Sequence, residues 1–104
     1  MQDILDAIEK AQRFVENLSY EEFTKDDKTV FAVVRALEII GEAAKNITDN
    51  NRKKNPDVPW KDMSEMRDIL IHDYFGVDME TVCLTVTERI TEIKPLIQKM
   101  LEKS

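Results

Sequence analysis

The run "TVFAVVRALEIIGEAAKNI", Thr29 to Ile47, places apolar residues at Val30, Val33, Val34, Leu37, Ile40, Ala44 and Ile47. Steps of three and four keep these side chains on one stripe of a 3.6-residue helix, whereas a strand would need alternation. The helix is predicted to begin after Asp26 or Asp27, whose carboxylates suit the unpaired amides of a first turn. It is expected to run to about Lys54, because "NPDVP" supplies the next strong stop. Gly41 falls inside the stripe at a cost of about 1 kcal/mol relative to alanine, for which close approach of another helix would compensate.

The same periodicity extends outward in both directions. Ile4, Ile8, Ala11, Val15 and Leu18 form one stripe, predicting a first helix over about Gln2 to Leu18. Ser19 and Glu22 then have the capping-box spacing for a short turn of helix carrying Tyr20 and Phe23. A third element is expected from Trp60 to about Tyr74, with Met63, Met66, Ile69, Leu70 and Ile71 as its apolar residues and Gly76 as its stop. Asp78 suits the N-cap of a last helix bearing Val82, Cys83, Val86, Ile90, Ile93, Ile97 and Met100 or Leu101. Pro95 lies within that pattern and should kink the helix or split it nearby, since its ring displaces the hydrogen bond to Thr91. The two glycines and three prolines of the chain leave few other breaks. The expected fold is all-α, an antiparallel bundle of four to five helices forming one domain over residues 1–104.

Composition narrows the function. The 104 residues suffice for one core, and 42% hydrophobic with 35% charged residues suits a globular domain. No apolar run approaches the roughly 20 residues of a spanning helix, and "MQDILDAIEK" has acidic groups where a secretory signal wants basic ones, so no membrane association and a cytoplasmic location are expected. A single cysteine, Cys83, excludes an internal disulfide and fits a reducing compartment. The formal net charge of -6 argues against a broad phosphate-neutralising surface, so any chemistry on nucleic acid must use a small local site.

That local site is sought in "MRDILIHDYFGVD", Met66 to Asp78, which holds the chain's one histidine. On a regular helix Arg67 and His72 are rotated by about 140° and separated by roughly 7.5 Å along the axis, so they do not share a face. The spacing is poor for a metal pair and the chain has no second imidazole, so no metal site is expected. Asp68 lies four residues before His72 and on the same side, where its carboxylate could orient the ring. Two readings stand. In one, Arg67 makes a salt bridge, His72 caps helix carbonyls and Tyr74 packs at the edge of the bundle. In the other, an imidazole that moves protons near neutral pH and a guanidinium matched to phosphate oxygens serve phosphodiester cleavage.

"RDILIHDY", an R-x4-H-x-Y pattern with an acidic residue after the arginine, resembles the signature of HEPN-domain ribonucleases. Together with "VPWKDMSEMRDILIHDYFGVD" and "ALEIIGEAAK", it is similar to the HepT-type toxins paired with minimal nucleotidyltransferase (MNT) antitoxins, over essentially the whole chain. The resemblance implies the toxin of a type VII-like toxin–antitoxin pair, a metal-independent endoribonuclease needing no cofactor. Arg67 and His72 would be catalytic and Asp68 supporting. Two subunits would join their motifs in one composite cleft of a homodimer, Tyr74 would accept AMP from the nucleotidyltransferase, and RNA would be the substrate. The competing class is an idle binding module that complexes with the nucleotidyltransferase and cleaves nothing.

Other residues carry open alternatives. Glu42 is expected either to pair with Arg67 or Arg35 or to sit at a solvated edge. Trp60 reads as core or interface filling, the methionines and Cys83 as packing residues. "NRKKN", Asn51 to Asn55, reads as positive charge at a helix C-terminus ahead of a guide for RNA.

Overall fold

The computed structural model describes residues 2–65 and 79–102. Among these every regular element is helical. They are α1 (Gln2–Phe14), α2 (Tyr20–Lys25), α3 (Asp27–Lys45), α4 (Asp49–Lys54), α5 (residues 60–65), α6 (Met79–Leu84) and α7 (Ile90–Glu102), with a π-helical segment Thr85–Arg89 joining the last two. The all-α bundle read from periodicity is the fold observed.

Helix α1 and helix α3 form the main packed pair. From α1 come Ile4, Ala7, Ile8 and Ala11, and from α3 come Val30, Val33, Val34, Leu37, Ile40 and Ala44, all buried in one cluster. Helix α2 lies against α3 through Phe23, which is 2% exposed, and α7 closes the core over α1 with Ile90, Ile93 and Ile97. Gln12 bridges the last contact at its rim. Its Nε2 donates to Thr91 Oγ1 at 3.2 Å, and its Oε1 accepts from Lys94 Nζ at 3.4 Å.

Two helix ends depart from the periodic expectation. Helix α1 stops at Phe14 and not near Leu18, because the chain turns through Asn17 in the left-handed region at φ 65°. Asparagine tolerates that conformation better than most residues, and Val15 still packs partly against the core from the turn. Helix α3 ends at Lys45 and does not continue to Lys54. Asn46 caps it, and Thr48 opens α4 by accepting from the Asn51 amide at 3.2 Å. Thr48 is followed three residues later by Asn51 and not by Glu or Gln, so the reciprocal half of a capping box is missing from the sequence. Arg52 braces the break, donating from Nη2 to the Ala44 carbonyl at 3.0 Å, which also accepts from the Ile47 amide at 3.3 Å. The basic cluster thus serves helix ends: Arg52, Lys53 and Lys54 occupy the last turn of α4.

The predicted capping box is present. Ser19 Oγ accepts from the Glu22 amide at 3.1 Å while Glu22 Oε1 accepts from the Ser19 amide at 3.0 Å. Asp26 then closes α2 and opens α3, its amide donating to the Phe23 carbonyl and its carboxylate accepting from the Thr29 amide at 3.2 Å and the Thr29 hydroxyl at 2.7 Å. The Thr29 hydroxyl and amide hold the Asp26 carboxyl below its ordinary range, and the Ser19 amide and hydroxyl do the same for Glu22.

The last helix is divided, but the irregular turn is the π segment Thr85–Arg89, which ends well before Pro95; the proline sits inside α7. The disturbance of the backbone ladder lies there and not at the proline: Val82, Thr85, Val86 and Ile90 stay buried through the widened turn, and Ile93, Ile97 and Met100 continue the buried face in α7. The Thr87 and Thr91 hydroxyls donate back to the carbonyls of Cys83 and Thr87, at 2.8 and 2.9 Å, contacts that bend a helix.

Leu37→Ala, at a fully buried position of α3, is expected to cost about 2–5 kcal/mol in chemical denaturation, from lost burial and the cavity left behind. Asp26→Ala should lower the melting temperature at neutral pH. Since folding depresses the Asp26 pKa, its contribution exists above the unfolded-state value and disappears as pH falls through the folded one. The gap between wild-type and variant melting temperatures should therefore close on acidification.

Candidate functional site

The elements that flank the signature are each anchored independently. Ahead of it, Pro59 precedes the first residue of α5, where a missing amide costs nothing, and the Met63 amide donates to the Pro59 carbonyl at 3.0 Å. Trp60 is 5% exposed and Met63 fully buried, so α5 is pinned through its first turn. The Trp60 indole Nε1 donates to the Asn55 carbonyl at 3.1 Å, which satisfies its polar end without exposing the ring. Trp60 is therefore a core residue, as expected of it, and so is Met63.

Behind the signature, α6 and the π segment enter the core through Val82 and Val86. Arg89 Nη2 lies 3.9 Å from Asp62 Oδ2, joining the π segment to α5. Both side chains are about half exposed, so this pair fixes orientation more than stability. Cys83 is half-buried on the same helix, and burial pushes its thiol pKa up, which keeps it in the unreactive protonated form at neutral pH.

Arg67, Asp68, His72 and Tyr74 lie outside the described residues, as do Gly76 and the expected N-cap Asp78. The fifth residue singled out from sequence, Glu42, is exposed on α3. Arg35 pairs with Glu38, its Nη1 lying 3.4 Å from Glu38 Oε2, and not with Glu42. Spacing explains the choice: Glu38 is one turn from Arg35, while Glu42 is two turns away, about 10.5 Å along the axis. The alternative partner of Glu42, Arg67, falls outside the described residues. Among the described residues no group of three or more His, Cys, Asp or Glu is arranged to hold a metal ion.

Sequence reasoning overlooked Gln12 as an organiser of the bundle, and read Arg52 only as part of a basic cluster at a helix C-terminus, not as a donor to the end of α3. Arg52 is the more unusual, since its Nε is buried with no hydrogen-bond partner among the described residues while Nη2 caps α3. A signal for it existed in the Asn-Ile-Thr-Asp run ahead of it, rich in residues that favour caps and turns over helix interiors. Gln12 had no such signal, because its partners Thr91 and Lys94 come from the far end of the chain.

Comparison with known proteins places this frame. The family model described as "Ribonuclease HepT-like" matches residues 4–100, from α1 to near the end of α7. A protein of Thermococcus cleftensis named "Probable ribonuclease HepT" is 47% identical over 100 residues, spanning 96% of this chain and 91% of that protein. "Putative RNase MJ1216" of Methanocaldococcus jannaschii is 45% identical over 100 residues, covering 96% of this chain and 83% of its own. "Putative RNase TTE0752" of Caldanaerobacter subterraneus is 41% identical over 103 residues, covering 99% and 92%. No solved structure matches the chain. With the all-helical frame and a match along nearly its whole length, the chain belongs to the HepT-like ribonuclease family.

Proposed function

We propose that this chain is the toxin of a type VII-like toxin–antitoxin pair, an endoribonuclease that cleaves RNA without a metal ion and is silenced by AMP addition to Tyr74. The observation that carries this reading is the R-x4-H-x-Y sequence Arg67 to Tyr74 within a chain of the HepT-like ribonuclease family.

The chemistry is an in-line transesterification. The RNA 2'-hydroxyl oxygen attacks phosphorus, its proton passes to the neutral His72 imidazole, and the bond from phosphorus to the 5'-oxygen breaks. A protonated imidazole, from the same or a second subunit, gives its proton to the leaving 5'-oxygen. The products are a 2',3'-cyclic phosphate and a 5'-hydroxyl. Arg67 neutralises charge growing on the non-bridging oxygens, where a planar guanidinium offers two parallel donors. Asp68, one helical turn before His72 in sequence, orients the ring.

A homodimer supplies the geometry that one helix cannot. Arg67 and His72 diverge by about 140° on a regular helix, so a cleft between two copies can face the arginine of one toward the histidine of the other. The nucleotidyltransferase partner would act on Tyr74, two residues beyond His72. An AMP group there adds a phosphate negative charge next to the anion site, occupying it and repelling the RNA backbone.

His72→Ala is expected to lower RNA cleavage by about 100-fold or more and Arg67→Ala by a similar factor, measured on a labelled RNA with chelator present throughout. Equal residual cleavage by wild type and His72→Ala would overturn the catalytic assignment and leave the binding-module reading. After co-expression with the nucleotidyltransferase, the peptide containing Tyr74 should gain the mass of AMP and cleavage should fall; an unmodified Tyr74 beside an active partner would remove the regulatory role.

A further inference from the structure

On the outer side of the α1–α3 pair runs an open groove of about 470 Å³. Its floor is made of small residues, Ala7 from α1 and Ala32 and Ala36 from α3, and its rim carries Asp6, Lys10 and Phe14. Phe14 is 40% exposed there, and Phe31 on the neighbouring turn of α3 is 57% exposed. A small-residue trough beside a protruding aromatic ring is a hole next to a knob, and contiguous apolar surface of this kind marks a contact face.

The charges around the groove say what can lie in it. Asp3 and Asp6 occupy the first half of α1 and Lys10 the second half, while Arg35 on the facing helix is already paired with Glu38. Asp6 and Lys10 have the spacing of an intrahelical pair, yet Asp6 Oδ1 accepts from Gln2 Nε2 at 3.0 Å, and no described residue forms an ion pair with Lys10. A helix laid in the groove antiparallel to α1 meets the basic Lys10 opposite its own first half and the acidic Asp3 and Asp6 opposite its second. Helix α1 of another copy of this chain has that order of charges, with an aromatic residue at its C-terminal end to enter the alanine trough.

We propose that this groove is a self-association face, on which two copies dock about a two-fold axis with their α1 helices antiparallel, each Lys10 opposite the other copy's Asp6. Such an interface is isologous, so each ion pair and each Phe14-to-trough contact occurs twice. Helix α1 is about 20 Å long and the helix pair about 20 Å wide, a face of about 400 Å² in projection. That is at the low end for a specific interface, so the association is weak and reversible. The proposal rests on residues of α1 and α3 alone and does not depend on the roles given to Arg67, His72 and Tyr74.

Sedimentation equilibrium of the full chain, from about 10 µM to 1 mM, tests the proposal across the range of weak complexes. Wild type should self-associate, and Lys10→Asp and Asp6→Lys should each raise the dissociation constant of this step at least about tenfold. The double variant Asp6→Lys/Lys10→Asp should return it to within about threefold of wild type, because reciprocal pairing is restored with the signs exchanged. Phe14→Ser should weaken the step without altering the response to charge. Circular dichroism melts confirm that these exposed positions leave the fold intact. Wild type with no association step sensitive to these changes, or a double variant no better than the folded singles, would overturn the proposal. If Arg67 and His72 form a separate dimer, that species persists in every variant and only the further step is lost.

Discussion

The burial of one face of α1 against α3 is the constraint on which the remaining structure depends. Ile4, Ile8 and Ala11 meet Val33, Leu37 and Ile40, none of them exposed to solvent. At about 25 cal/mol for each Å² of apolar surface removed from water, these side chains supply much of the force that opposes chain entropy. The two helices are separated by the short α2, which shares its Asp26 cap with α3, so their pairing is local in sequence. Helix α7 then adds the long-range closure, laying Ile90, Ile93 and Ile97 onto the pair from the other end of the chain.

Local polar devices determine where each helix begins and ends around that core. Asp26 serves two helices at once, and the Ser19–Glu22 box fixes the entry to α2. Arg52 performs the same service at long reach, crossing from α4 to an acceptor at the end of α3. The first two satisfy backbone amides that helix starts leave unpaired, and Arg52 adds a second donor to a carbonyl at the end of α3. The helix leading into the Arg67–Tyr74 signature is therefore held by Trp60 and Met63, and the helix leaving it by Val82 and Val86.

Family membership and the frame converge on a ribonuclease with a formal net charge of -6. An acidic molecule gains little from broad electrostatic attraction to RNA. The same acidity makes local charge order matter more for protein contacts. Along α1 the acids Asp3, Asp6 and Glu9 precede the bases Lys10 and Arg13, and the order of Asp6 and Lys10 is what makes the outer groove complementary to itself.

The sequence by itself determined the helical class, the buried stripes, the capping box at Ser19 and Glu22, the N-cap at Asp26 and the core role of Trp60. Each of these depends on residues within a turn or two of one another, where 3.6-residue periodicity and cap chemistry are written locally. It also carried the R-x4-H-x-Y signature, a matter of residue order alone. Only the tertiary structure decided that the long second helix breaks at Asn46, that the irregular turn falls at Thr85–Arg89 and leaves Pro95 inside a helix, and that Arg35 takes Glu38 as its partner. Val82, Val86 and Ile90 stay buried through the π turn, and the Arg52 contact follows from the return of α4 toward α3. Both are set by packing between elements, which no window of sequence contains.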